Sequence, residues 1–121
     1  MSRQSQQLAR HYARLWAAAE LDATWTRGDL AVALTVVPAR TGVELADDAG
    51  AAIRSRHRDY LVMAADLVLG GQRVWPEVGD RITLAATGET LEVQPLAGEH
   101  ARGCDDLQTV VRVHTRLIQE S

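Results

Sequence analysis

The spacing of the apolar residues changes once, at Asp22, and that change limits the possible folds more than any other feature of this 121-residue chain. Before it, Leu8, Tyr12, Leu15, Trp16 and Ala19 recur at the spacing of one helical face, while Arg3, Arg10 and Arg14 fall together on the other. Residues 3–20 are therefore predicted to form an amphipathic helix. Its narrow apolar stripe suits a helix laid across a sheet or against a neighbouring subunit, and its arginine stripe suits water, an acidic partner or phosphate. After Asp22 the period is two and Gly or Pro turns recur, which is the pattern of successive strands.

Strands are predicted at 21–27 and 30–37, flanking Gly28-Asp29, where Gly supplies the positive φ that a type II′ turn needs at its first central residue. Arg27-Gly28-Asp29 also spells an adhesion tripeptide, but its place in a hairpin turn accounts for it and no adhesive function is assigned. Pro38 closes the second strand, and "ELADDAGA", residues 44–51, reads as an acidic loop carrying Glu44, Asp47 and Asp48. A long strand is expected over 52–63, with Arg54, Arg56, Arg58 and Tyr60 on one face and Ile53, Ser55, His57, Asp59 and Leu61 on the other. The arginine-bearing face is expected to lie outside the core. "AADLVLGG" reads as either a helical turn or the start of a strand, ended by Gly70-Gly71. The clearest hairpin sets Ile82 and Leu84 against Leu91 and Val93 across Thr87-Gly88, entered through Pro76 and Gly79-Asp80 and left through Pro95 and Gly98. Residues 99–106 read as a polar loop. A last strand, 108–118, alternates Val111, Val113, Thr115 and Leu117 with Arg112, His114 and Arg116.

The expectation is a single domain, 1–121, mainly β: an N-terminal helix (3–20) followed by a small six- or seven-stranded antiparallel barrel or sandwich over 21–118. Closure is expected because open strand edges invite unwanted pairing. With 46% hydrophobic residues, 4% aromatic and no Phe, the core must be filled by Ala, Val and Leu. A domain of this size buries roughly two thirds of its unfolded surface and needs no staples. The single cysteine, Cys104, excludes an internal disulfide and fits a reducing compartment. The polar N-terminus reads as no secretory signal, and no stretch approaches the roughly 18 apolar residues of a membrane span, so a soluble cytoplasmic chain is expected.

Chemistry is sparse. His100 and Cys104 lack the further soft or imidazole ligands of a zinc site, so no metal is assigned. Asp47-Asp48 and Asp105-Asp106 are adjacent carboxylates without a placed base, and no phosphate loop or nucleophile elbow is present. His11 and His57 sit on amphipathic elements where a structural role is expected. No cofactor and no enzymatic activity are expected. The net charge of −3, with every one of the thirteen basic residues an Arg, gives no global field for nucleic acid, so any anion contact must be local.

Several short motifs carry a resemblance. Arg58, Asp59, Tyr60 and Leu61 are followed by Ala65, Asp66 and Leu67, then by Pro76, Gly79, Asp80 and Ile82. Leu91, Glu92 and Val93, then Gly98 and Glu99, and finally Arg112, His114 and Thr115 complete the order. Over residues 54–117 this resembles the small phage and prophage proteins that join head to tail, with two departures: Leu91 stands where Tyr is usual, and "HARGCDD" lacks a Trp that often follows the Gly-Glu pair.

The resemblance implies a structural protein of the virion neck, assembled in the host cytoplasm. It implies a ring that closes the head beneath the portal or adaptor proteins, docks the tail terminator or tail tube, and has passing contact with genomic DNA; no membrane is implied. A ring subunit needs two different surfaces that meet head to tail. Arg54, Arg56 and Arg58, with Tyr60 beside them, and the acidic Glu44, Asp47 and Asp48 are the expected pair. Arg3, Arg10, Arg14, Glu99 and Arg102 are further interface candidates. Alternatives are a tail-terminator-like ring protein and a bacterial β-barrel module for single-stranded nucleic acid; the second wants interleaved aromatics, and Tyr60 is the only one on its strand.

Overall fold

The computed structural model describes residues 3–39, 56–105 and 107–120. One helix, α1 (Arg3–Ala19), precedes the strands β1 (Leu21–Arg27), β2 (Leu30–Ala39) and β3 (His57–Met63). A 3₁₀ turn (Ala64–Asp66) leads into the short β4 (Val68–Leu69) and β5 (Gln72–Arg73). The chain then forms β6 (Arg81–Leu84), β7 (Thr90–Val93), β8 (Ala101–Gly103) and β9 (Val110–Gln119). The undecided "AADLVLGG" is thus a helical turn and then a strand, with Gly70 and Gly71 both at positive φ in the turn to β5.

The strands run in the order β3-β2-β1-β6-β7-β9, and β9 pairs back onto β3, so the antiparallel sheet closes into a six-strand barrel with β8 as one extra strand on β9. The turn between β1 and β2 has Gly28 at φ +59° and Asp29 at negative φ, as type II′ requires. Ile82 stands opposite Leu91 in the β6–β7 hairpin, as the sequence indicates.

The stretch 99–106, expected as a loop, instead contains β8. The Gln94 N–H donates to the His114 carbonyl at 3.0 Å, and the His114 N–H donates to the His100 carbonyl at 2.9 Å. The strand path of β7 therefore resumes as β8 along the same edge of β9, interrupted by an excursion over 95–99. Leu96 and Glu99 hydrogen-bond each other across its tip, where Ala97 (φ +55°) and Gly98 (φ +84°) have the positive φ pair of a type I′ turn. Too short and too polar to alternate visibly, β8 is strand because β9 supplies the partner edge.

The inward faces of the barrel strands form one core in which Trp25, Val36, Val62, Ile82, Leu91, Val93 and Val113 have no exposed surface. The barrel has an upper end, with the Gly28-Asp29 turn, residues 64–80 and the 95–99 excursion. Its lower end holds the α1–β1 junction and the β6–β7 turn. Leu67 and Leu69 enter the core at the upper end. α1 has no acidic residue in its first turn and no basic one in its last, so its dipole is uncompensated and packing must hold it. Trp16 provides that packing, buried with Val37, Leu61 and Val110 on the outer faces of β2, β3 and β9, while its indole N–H donates to Thr35 Oγ1 at 3.1 Å.

This arrangement corrects the expected faces of the arginine-rich strand. Tyr60 and Val62 are core residues, and Arg58 shares their inward face at the lower mouth of the barrel. The opposite face is covered as well, with Leu61 under α1 and Asp59 only 2% exposed. Strand β3 is enclosed on both sides, so alternation of polar residues could not mark its core face. Residues 52–55, the expected start of this strand, lie outside the described residues.

Candidate functional site

The charged residues of the recurring motifs meet in pairs that brace the barrel. Asp59 of β3 stands directly opposite His114 of β9. Its carboxylate receives the Arg112 Nε–H at 2.7 Å and contacts His114 Nδ1 at 2.8 Å. At the next pair of the same two strands, the Thr115 hydroxyl donates to the Arg58 carbonyl. The "RDYL" and "VRVHT" segments are thus two halves of one cross-strand contact, more than fifty residues apart in sequence.

A second brace sits at the upper end. Asp80, 2% exposed, accepts from the Trp25 indole at 3.0 Å, from Arg27 Nε and Nη2 at 2.8 Å each, and from the Glu77 backbone N–H at 2.9 Å. Arg27 Nη2 also donates to the Trp75 carbonyl at 2.8 Å, and His100 Nε2 lies 2.8 Å from the Pro76 carbonyl. The hydrogen bond from Arg27 to Asp80 raises the guanidinium further above its usual range, opposed by burial. A carboxylate this deep is tolerable because its lone pairs are filled by charged and neutral donors. Sequence reading found the Pro-x-x-Gly-Asp turn but missed Arg27 as its partner, having assigned Arg27 to the hairpin alone.

Arg58 makes the third brace. Its Nη1 lies 3.1 Å from Glu89 Oε1 in the β6–β7 turn, and Thr87 donates to the same oxygen at 3.1 Å. The Arg58 hydrogen bond holds the Glu89 carboxyl below the usual carboxylate value, while burial pushes the Tyr60 phenol up against the opposing pull of Arg58. Arg58 is therefore engaged within its own chain.

Of the other expected interface residues, Arg10 and Arg14 are exposed on α1, and Arg56 is exposed just before β3. Arg3 lies in the first turn of α1. Glu99 and Arg102 pair with each other at 3.2 Å at the surface. Glu44, Asp47, Asp48 and Arg54 lie outside the described residues, and so does the expected pairing of the acidic loop with the arginine-bearing face. Cys104 is near Tyr12 and Asp105. Burial pushes its thiol up, with Asp105 adding to the shift and Arg112 opposing it, which is the reverse of an activated nucleophile.

At the lower end a cleft of about 400 Å³ is lined by Glu20, Leu21, Asp22 and residues 84–87. Among the described residues no helix is long and apolar enough to cross a membrane. The family model for phage head-tail joining protein matches residues 1–121, the whole chain. The chain belongs to the phage head-tail joining family. No curated protein and no solved structure matches it.

As a head-tail joining chain, this is a structural protein of the bacteriophage neck. Its motif residues Asp59, Asp80, Arg112 and Thr115 are engaged in contacts within the barrel.

Proposed function

We propose that the protein is a subunit of the ring that closes the DNA-filled head beneath the portal or adaptor and presents a docking surface to the tail terminator or tail tube. The whole-chain match to the head-tail joining family carries this reading. The rigid closed barrel supports it, since its charged residues brace the fold instead of lining a reaction centre. A net charge of −3 suits a conduit through which DNA must slide, because tight phosphate contacts would hold the genome in place. Assembly takes place in the host cytoplasm, and the subunit remains in the neck of the finished virion.

Deleting the gene from its phage or prophage and viewing the induced lysate by electron microscopy tests the proposal. Filled heads beside separate tails, joined on adding the purified protein, are the expected result. Normal infectious particles from the deletion would reject a joining role.

A further inference from the structure

The cleft at the lower end of the barrel combines an apolar lining with unneutralised negative charge. Leu21, Leu84, Ala85 and Ala86 supply the apolar part, and Glu20 and Asp22 the carboxylates. Its volume of about 400 Å³ falls within the range of sites that enclose a small ligand. Glu20 and Asp22 are both exposed, and neither side chain makes a hydrogen bond or ion pair among the described residues. Asp22 stands opposite Thr35 of β2, and its carbonyl accepts from the Ala85 N–H at 3.0 Å, so its neighbours on both flanking strands are uncharged. Arg58, which reaches the β6–β7 turn from β3, is already paired with Glu89.

The end of α1 adds to the same negative potential. Glu20 follows directly on α1, whose last turn holds no basic residue. Of its last four carbonyls, that of Trp16 accepts from the Glu20 N–H at 3.0 Å. No backbone N–H beyond the helix reaches those of Ala17, Ala18 or Ala19 among the described residues. A helix C-terminus carries roughly half an elementary negative charge and is favoured by a nearby cation. Here the last turn supplies none.

Two free carboxylates and a helix C-terminus beside an apolar lining match a ligand with a long apolar stem and a cationic head. Arginine has both, and its five donors can serve several oxygens at once, whereas the ammonium of lysine is a compact, strongly hydrated charge. Two carboxylates are few for a calcium ion, which takes about six to eight oxygens. Among the described residues the exposed arginines of this chain sit on α1 or along paired strands, not on a projecting segment able to enter the cleft of a second copy.

We propose that the cleft binds an arginine side chain presented by another protein of the neck, with its stem along Leu21, Leu84, Ala85 and Ala86 and its guanidinium on Glu20 and Asp22. The inference rests on the neck reading above and gives the docking surface a site and a partner chemistry.

The test titrates the isotope-labelled full chain, followed by NMR, with the peptide acetyl-Ala-Arg-Ala-amide and with the same peptide carrying citrulline, which keeps the stem and loses the charge. Saturable shifts of the Leu21, Asp22, Ala85 and Ala86 amides are expected with the arginine peptide. Affinity at least about tenfold weaker is expected for the citrulline peptide, and for the arginine peptide with the double variant Glu20→Gln/Asp22→Asn, because each loses charged hydrogen bonds. The variant should keep the wild-type melting curve, since neither side chain has a partner to lose. An arginine peptide that gives no saturable shift at these amides overturns the inference, and so does citrulline binding as tightly as arginine. Sedimentation velocity decides whose arginine it is: wild type and variant are expected to sediment alike, whereas self-association that the variant loses would assign the arginine to a second copy and overturn the choice of another protein. The titration needs no phage particle, so its failure is distinct from failure of the joining role, which the gene deletion tests.

Discussion

At the scale of single residues, buried carboxylates do more for this barrel than any surface charge. Asp80 accepts from Arg27, Trp25 and Glu77 at once, and removing one member of a buried charged set leaves the others desolvated and unpaired. Asp80→Ala should destabilise the protein by about 3–5 kcal/mol in chemical denaturation, and a cost under about 1 kcal/mol, the value of an exposed pair, would show that the cluster is ornamental. Glu89 provides a quieter test. Its folded pKa lies below the unfolded one because Arg58 donates to it, so its contribution is fully present above the unfolded carboxyl value of roughly 4.3 and is lost as pH falls through the lower folded value. Arg58→Ala should move the Glu89 titration, followed by NMR, up toward the ordinary range; an unmoved midpoint would mean that the ion pair does not hold in solution. Ala97 and Gln108 both have a positive φ, and Ala97, at φ +55° in the tip of the excursion, is the easier to relieve. Ala97→Gly relieves a left-handed strain of about 1–2 kcal/mol, partly offset by the greater freedom of unfolded glycine, and should raise the melting temperature.

Among the elements, α1 is the one held only from outside. Its Trp16 lies against Val37, Leu61 and Val110, whereas the barrel core closes without it. Trp16→Ala should cost about 3 kcal/mol, within the range for large aromatic truncations. The loss should show as rapid hydrogen exchange across α1 while β1, β6 and β7 stay protected; uniform loss of protection would make helix and barrel one cooperative unit. Where an element faces water on one side, the sequence announces it. The helix, the β1–β2 hairpin, the β6–β7 hairpin and the inward valines of β9 were all legible from period and turn residues. Strand β3 misleads because α1 and the barrel bury both its faces, so "HRDYLVM" has no solvent face to alternate. β8 is hidden because "ARG" is made a strand by an edge of β9 that the sequence does not display. The braces were illegible for a related reason: Arg27 and Asp80 are separated by 53 residues, as are Arg112 and Asp59, and nothing local reveals that the topology brings them together.

For the molecule as a whole, the family motifs and the exposed apolar side chains fall on different residues, and that division predicts how mutations will sort. The motif residues Asp59, Asp80 and Thr115 are nearly inaccessible, so their loss should act through folding. Val78 and Ile118 are open to solvent and touch no brace, and surface changes away from such features usually shift stability by less than about 0.5 kcal/mol. Val78→Asp should therefore melt like the wild type yet fail to join heads to tails when supplied to a deletion lysate, because a carboxylate placed at an exposed apolar position must lose its water to whatever seats there without gaining a partner. The contrasting variant is Val113→Ala, at a fully buried position on the inner face of β9. It should lose roughly 1–3 kcal/mol, from the buried methyls removed and the cavity they leave, while the protein that remains folded joins particles normally. If Val78→Asp joins as well as the wild type, the upper end of the barrel faces solvent in the virion, and the neck is assembled through other surfaces. If Val113→Ala, once folded, fails to join, the barrel's rigidity is itself part of the docking step, since a loosened core would change the shape presented to the tail without altering any exposed side chain.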